Sequence, residues 1–318
     1  VYKKMHMRPT TLLRISVIAM GVLNLMPWAG PTMRAATVLG IEAGSLWQTI
    51  LPIQACGIVL ALAVAVLNGI IEQKRGAGLN GKLAQEATHL NSVEEAAAEA
   101  ESANNELARP KLFVFNIILT IAVIALLIKD IFPSYVPFMI GVAIAILVNY
   151  PGAKMQKKII NLHSGPALMM CSTLMGAAVL MGILVKDIEG VNSVITCMSN
   201  LISSILPAAL GQHLPLVIGI LSVPLALAFD TDSYFYGMLP VMIGIGEGFG
   251  VGAMPIAVAM VVCRNCATFI SPMVPATLLG VGLADVDIKD HIKFSFLWVW
   301  GFSIICMLIG AIVGIIPL

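Results

Sequence analysis

Apolar residues run along this chain in blocks of about twenty, the length a helix needs to cross a bilayer core, and short polar stretches separate them. The blocks fall at residues 12–39, 49–71, 112–128, 135–150, 164–185, 214–246, 253–282 and 293–316. A weaker, amphipathic stretch at 191–212 reads as lying along the membrane surface. No segment shows the strict alternation of a membrane β-barrel. The pattern therefore predicts an all-α polytopic membrane protein. Three blocks carry polar interruptions: NLMPWAGPT at 24–32, FDTDSYFYG at 229–237 and SPMVPAT at 271–277.

The polar stretch 72–111 differs from all of these. It carries seven acidic and five basic side chains and the Ala/Glu-rich run VEEAAAEAESANNELA, and it reads as a solvated linker between two halves. The halves are residues 1–71, with a broken helix at 12–39 and a span at 49–71, and residues 112–318.

Composition sharpens the membrane reading. Hydrophobic residues are 59% of the chain and charged ones 11%, against about 25% charged in soluble domains. The partner this implies is the lipid bilayer, and a net charge of +1 points to no nucleic acid. The chain opens on valine, and VYKKMHMRPTTLLR reads as the continuation of something already under way, with neither a signal peptide nor a lipidation box. Cys263 and Cys266 form a CxxC, but no second cysteine pair or nearby histidine accompanies it, so helix packing is the reading. The other cysteines also lie in or beside apolar segments.

Lysine and arginine positions set the orientation. With the N-terminal end inside, and with 214–246 entering and leaving on one side, fourteen of the eighteen basic residues fall inside and 72–111 is cytoplasmic. If 214–246 crossed fully, Lys289 and Lys293 would move outside; the bias favours a re-entrant hairpin.

The broken segments share a design. MPWAGPT (26–32) and SPMVPAT (271–277) both have proline second and threonine seventh, each between an apolar half-helix and a short one. Similar exits follow, GIEAGSL and GLADVDI, although aligning Gly40 with Gly282 requires a three-residue gap. By the orientation above the two exits lie on opposite sides, as in an inverted repeat. Proline removes a backbone donor and stops the helix. In hydrocarbon, freed backbone groups survive only where protein or a watery cavity satisfies them. Paired breaks in two halves point to a transporter's binding site, with packing kinks as the plainer alternative.

Asp230 and Asp232 would each cost about 2.5–3.5 kcal/mol at the centre of a spanning helix, so either they face a cavity or the break makes a hairpin tip. With Thr231 and Ser233 they offer hard oxygens suited to magnesium, calcium, sodium or a proton. Tyr234, Phe235 and Tyr236 read as packing around the tip. Arg34, two residues past the first break, either pairs a substrate carboxylate or anchors at the interface. Arg264 and Asn265 are weaker candidates of the same kind, and Glu247 and His213 read as surface residues. An intramembrane hydrolase would need metal ligands or a nucleophile–base pair; there is no HExxH, and the five histidines are scattered. The chain reads as no enzyme.

Taken together, FDTDSYFYG, SPMVPATLLGVGLADVDIKDH and NLMPWAGPTMRAATVLG resemble the citrate–divalent metal:proton symporter family of the ion-transporter superfamily, over essentially the whole chain apart from 72–111. The resemblance implies an inverted-repeat transporter of the bacterial cell membrane, with re-entrant hairpins and broken helices, similar to dimeric elevator-type carriers and hence a homodimer. It implies uptake of citrate with a divalent cation, magnesium or calcium, coupled to protons, with no permanently bound cofactor. The rival within the superfamily carries another carboxylate or an inorganic ion. In that family a segment like VYKKMHMRP follows directly on the first hairpin, so the chain reads as a fragment lacking it. The substrate-binding set implied is Asn24, Pro27, Gly30, Thr32, Arg34, Ser233, Ser271, Pro272, Pro275 and Thr277, with prolines and Gly30 shaping the breaks. Asp230, Thr231 and Asp232 form the cation or proton site, the two aspartates being the metal ligands.

Overall fold

A computed structural model describes residues 6–77, 109–129, 132–133, 135–185 and 192–317; most of the expected linker, 78–108, lies outside the described residues. Among the described residues all regular secondary structure is helical. Four helical stretches there are long and apolar enough to cross a membrane: Ala43–Lys74, Pro110–Lys129, Ala253–Ile270 and Ile288–Ile312.

The first broken helix consists of α1 (Pro9–Leu23) and α2 (Gly30–Leu39), and α3 (Ala43–Lys74) follows. The outer helices α4 (Phe113–Lys129), α5 (Tyr135–Asn149) and α6 (Ala153–Val185) come next. The span expected at 164–185 starts earlier because residues 153–164 contain neither glycine nor proline, so the helix runs through the basic connection. The amphipathic stretch forms α7 (Val194–Ile205) and the short α8 (Ala208–Gln212), separated at Pro207. The hairpin arms are α9 (Leu214–Ala228) and α10 (Leu239–Gly248), joined through a π-helical segment, Ser233–Met238. The second broken helix is α11 (Ala253–Cys266) and α12 (Pro275–Ala284), and α13 (Ile288–Ile312) ends the fold.

The core forms around α11. Its sequence, AMPIAVAMVVCRNC, has almost no polar face, and all residues from 256 to 266 are buried; a helix that is apolar all round belongs inside. Helices α1, α9 and α13 pack directly on it. By contrast α4 and α5 keep most of their apolar side chains exposed, as lipid-facing helices do. Reciprocal amide bonds between Asn116 and Asn149 (2.9 and 2.8 Å) tie the pair together. The pair meets the rest of the body through an edge-to-face contact of Trp28 with Phe138 and a bond from Gln48 to the Ile128 carbonyl.

The start of the expected linker belongs to the body. Glu72, in the last turn of α3, is fully buried and accepts from Arg8 (2.8 Å), the Thr11 hydroxyl (2.7 Å) and Arg75 (2.7 Å). Arg14 hydrogen-bonds Asn68 and stacks on Phe294 and Trp298 of α13. These contacts pin the start of α1, the end of α3 and α13 together.

The hairpin returns to the end where it began. Gly211, just before α9, lies against the ring of Phe249, just after α10. On α10, Gly244 and Gly248 receive Ser199 and Ser203 of α7, so small residues let the two helices approach closely.

The second halves of the two broken helices correspond residue for residue. Helix α2 and α12 each have ten residues; 30 pairs with 275 and 39 with 284, so each partner lies 245 residues on. Both end in a left-handed residue, Gly40 (φ 66°) and Asp285 (φ 56°), each eight residues past the motif's threonine. In both, the following residue closes a 6→1 turn: Ile41 to Ala36 and Val286 to Val281. The next residue, Glu42 or Asp287, is the N-cap of the following span. The gap expected from aligning Gly40 with Gly282 is therefore removed: the structural equivalent of Gly40 is Asp285, one of the few non-glycine types that tolerate αL.

Candidate functional site at the hairpin tip

The breaks open where their prolines dictate. In each motif the second proline, Pro31 or Pro275, sits in the first turn of the new half-helix, where its missing N–H would be unpaired anyway. Pro27 and Pro272 lie in the non-helical connections. The motif threonines then close across the gaps. Thr32 donates to the Leu25 carbonyl (3.2 Å) and Thr277 to the Thr268 carbonyl (3.4 Å). Both are buried, and both satisfy backbone oxygens that the interrupted helix releases. Ser271, also buried, accepts the Met273 N–H at 3.3 Å and shapes the second break.

At the tip, the first arm ends at Phe229 in an extended conformation. Asp230 then acts as a cap: its carboxylate accepts the backbone N–H groups of Asp232 (3.1 Å) and Ser233 (3.2 Å). This neutralises the free amides that begin the second arm. The π segment that follows sends Tyr234 inward, where its hydroxyl meets Ser222 at 2.6 Å. Such i→i+5 turns are rare and concentrate at functional sites. Ser233 is exposed, while Thr231 and Asp232 are half-buried.

Arginines from both broken helices reach this tip. Arg34 Nε donates to Asp232 Oδ1 at 2.5 Å. Nη1 of Arg34 lies where a Cβ at residue 30 would stand, so Gly30 leaves the guanidinium its space. Arg264, fully buried in the last turn of α11, reaches the Phe229 carbonyl (3.4 Å) and the Thr231 hydroxyl (3.5 Å). It also contacts Thr268 at 3.3 Å and lies over the Tyr234 ring at 5.7 Å. Beside it, Asn265 accepts from Asn24 of the first break at 2.8 Å. The α1–α11 crossing is close enough that Gly21 has the backbone of Cys266 against it.

The structure thus gathers Asn24, Gly30, Arg34, Asp230, Thr231, Asp232 and Ser233 with Arg264 and Asn265. The SPMVPAT residues sit one step away, joined through Thr268, which bonds both Asn265 and Thr277. Tyr236 Oη, Arg264 Nε and Asn265 Nδ2 are buried without a hydrogen-bond partner. Buried polar atoms are rarely left so, which marks these three as groups able to bond a ligand. Tyr236, read from sequence as packing, lies within electrostatic range of both Arg34 and Asp232. His291 was one of the scattered histidines; its buried ring bonds the Phe269 carbonyl at 3.3 Å, beside a cavity of about 270 Å³ between α1 and α12. Among the described residues no group of three or more His, Cys, Asp or Glu side chains comes together. A cation at the tip would therefore need oxygens from elsewhere to complete its shell.

Comparison with curated proteins of Bacillus subtilis gives full-length matches to this chain. It is 33% identical to a citrate transporter over 316 residues, covering 99% of this chain and 70% of that protein. It is 35% identical to a Mg(2+)/citrate complex secondary transporter over 316 residues, covering 98% and 70%. An uncharacterized transporter is 29% identical over 319 residues, covering 100% and 71%. No protein-family model matches, and no solved structure matches.

Proposed function

This chain belongs to the family of citrate and metal–citrate transporters that those relatives represent, and from that premise we propose that it carries a citrate–divalent metal complex across the membrane in symport with protons. It is a membrane transporter and not an enzyme.

The observation that carries the proposal is the mixed charge of the tip. Two carboxylates, Asp230 and Asp232, and two guanidiniums, Arg34 and Arg264, gather at the tip, with Arg34 paired to Asp232 and Arg264 on the neighbouring Thr231. A site for a bare anion would be cationic, and a site for a bare cation acidic. Both signs side by side suit a cargo that has both. Citrate supplies carboxylates for Arg34 and Arg264, and its metal turns toward Asp232. Because the tip lacks a full cage, citrate's own oxygens make up much of the metal's coordination. Asn24, Asn265, Thr231 and Ser233 offer neutral hydrogen bonds to the substrate hydroxyl and remaining carboxylate oxygens. Thr32, Thr277 and Ser271, with the prolines, hold the broken ends in shape around it. The site draws on both broken helices, Arg34 from α2 and Arg264 from α11, and paired broken helices are what inverted-repeat carriers use to build a binding site. The lysine and arginine distribution supports a cytoplasmic position for 72–111.

Proton coupling is tested in liposomes holding the full-length protein and a trapped pH dye, with the membrane potential clamped. Adding magnesium and citrate outside should acidify the lumen together with citrate uptake. Uptake with no acidification would reject symport with protons.

A further inference from the structure

We propose that Arg34 and Asp232 form an exchangeable ion pair that makes citrate and its metal load together. The inference rests on the reading of the tip as a metal–citrate site and adds how that site refuses either component alone.

The two residues come from different parts of the fold, Arg34 from α2 and Asp232 from the hairpin tip. Their side chains retain 15% and 40% of their exposure, so the pair is partly desolvated yet not sealed from the surface. The other two charges of the tip bond neutral groups of the protein, so among the described residues neither has a salt-bridge partner that a ligand could exchange. Asp230 holds the amides that start the second arm, and Arg264 holds the Phe229 carbonyl and the Thr231 and Thr268 hydroxyls. Arg34 and Asp232 hold each other. Gly30 lets the guanidinium lie against the start of α2, with Nη1 in the space a side chain would take.

The consequence follows from charge alone. Citrate arriving without metal takes Arg34 and strands Asp232 beside a polyanion. A divalent cation arriving without citrate takes Asp232 and strands Arg34 beside a double positive charge. Removing one member of a desolvated pair leaves an uncompensated charge, and that penalty opposes each single ligand. The complex replaces one ion pair by two: guanidinium with a substrate carboxylate, Asp232 with the metal. The coupling between the two ligands is reciprocal, as any binding linkage must be. Tyr236, buried with an unpartnered hydroxyl, lies within electrostatic range of both charges.

The test is equilibrium binding to the full-length protein, with radiolabelled citrate in chelator or in magnesium, and with Mn²⁺ alone read by its resonance signal. The unaltered protein should bind citrate with metal, and neither ligand alone in the same concentration range. Asp232→Asn frees Arg34, so metal-free citrate should gain about tenfold or more in affinity, within the usual range of coupling between sites. Arg34→Gln frees Asp232, so Mn²⁺ should bind without citrate. A gain of binding cannot come from misfolding. Arg34→Lys and Asp232→Glu, which keep each charge, should keep the joint requirement, and they decide the matter if a neutral variant is not recovered. A joint requirement that survives neutralisation, or that disappears in the charge-keeping variants, overturns the exchange. Binding of metal-free citrate by the unaltered protein would instead overturn the metal–citrate reading and the exchange with it.

Discussion

Arg264→Met abolishes transport while leaving the fold intact: citrate uptake falls by about a hundredfold or more, the equivalent of roughly 3 kcal/mol, at unchanged membrane abundance. Arg264 is fully buried at the end of the central helix, and its contacts are to neutral oxygens at 3.3–3.5 Å and to an aromatic face. None of these contacts neutralises a full charge, and Nε has no partner at all. A buried charge in that condition does not stabilise a fold; replacing buried ionic groups with apolar side chains of similar volume is often neutral or stabilising. Its persistence at the hairpin tip points to the anionic cargo. Methionine fills much of the same volume, so thermal stability should be equal or higher while initial uptake rates collapse. Lysine should rescue little, because one ammonium cannot serve Phe229, Thr231 and a substrate carboxylate from a planar fork. Retained uptake in Arg264→Met would remove this residue from the site.

Gly21→Val is the second large effect, through a different route. A Cβ at Gly21 would lie 3.0 Å from the Cα of Cys266 and 3.2 Å from the Asn265 carbonyl oxygen. Both are backbone atoms of the central helix, so no rotamer change relieves the contact. Overpacking of this kind costs about 1–3 kcal/mol and occasionally more, and valine adds two methyl groups to the clash. Helix α1 must move away from α11, which also parts Asn24 from Asn265. Loss of folded protein, measured as a lowered unfolding temperature in detergent, should accompany loss of uptake. Gly69, with open space where its Cβ would stand, is the matched control and should accept valine with little change. An unchanged unfolding temperature in Gly21→Val would mean that the α1–α11 crossing is not as close as described.

Much of this site was legible in the sequence, for reasons that differ residue by residue. Prolines and charges inside apolar blocks are expensive, so MPWAGPT, FDTDSYFYG and SPMVPAT announced themselves, and Arg34 stood out as a cation just past a break. Arg264 and Asn265 were visible only as weak candidates, because nothing in AMPIAVAMVVCRNC says which neighbour the last turn will meet. Their importance comes from tertiary placement against Phe229, Thr231 and Asn24. Glu72 looked like the first residue of a polar linker, since its partners Arg8 and Thr11 are more than sixty positions away in the chain. The equivalence of Gly40 and Asp285 is hidden because the similar exits GIEAGSL and GLADVDI align Gly40 with Gly282; only the backbone angles reveal that an aspartate takes that place. The capping role of Asp230 was hidden by its neighbour, because two acidic residues in one motif invite a shared assignment that the hydrogen bonds divide.

The most direct measurement of the central claim is uptake of radiolabelled citrate into cells expressing the full-length protein, first with chelator and then with magnesium, calcium and other divalent cations restored singly. The account expects uptake to vanish with chelator, to return with one or more of the metals, and to be lost again in Asp232→Asn at unchanged membrane abundance. Citrate uptake that proceeds unchanged in chelator would contradict it.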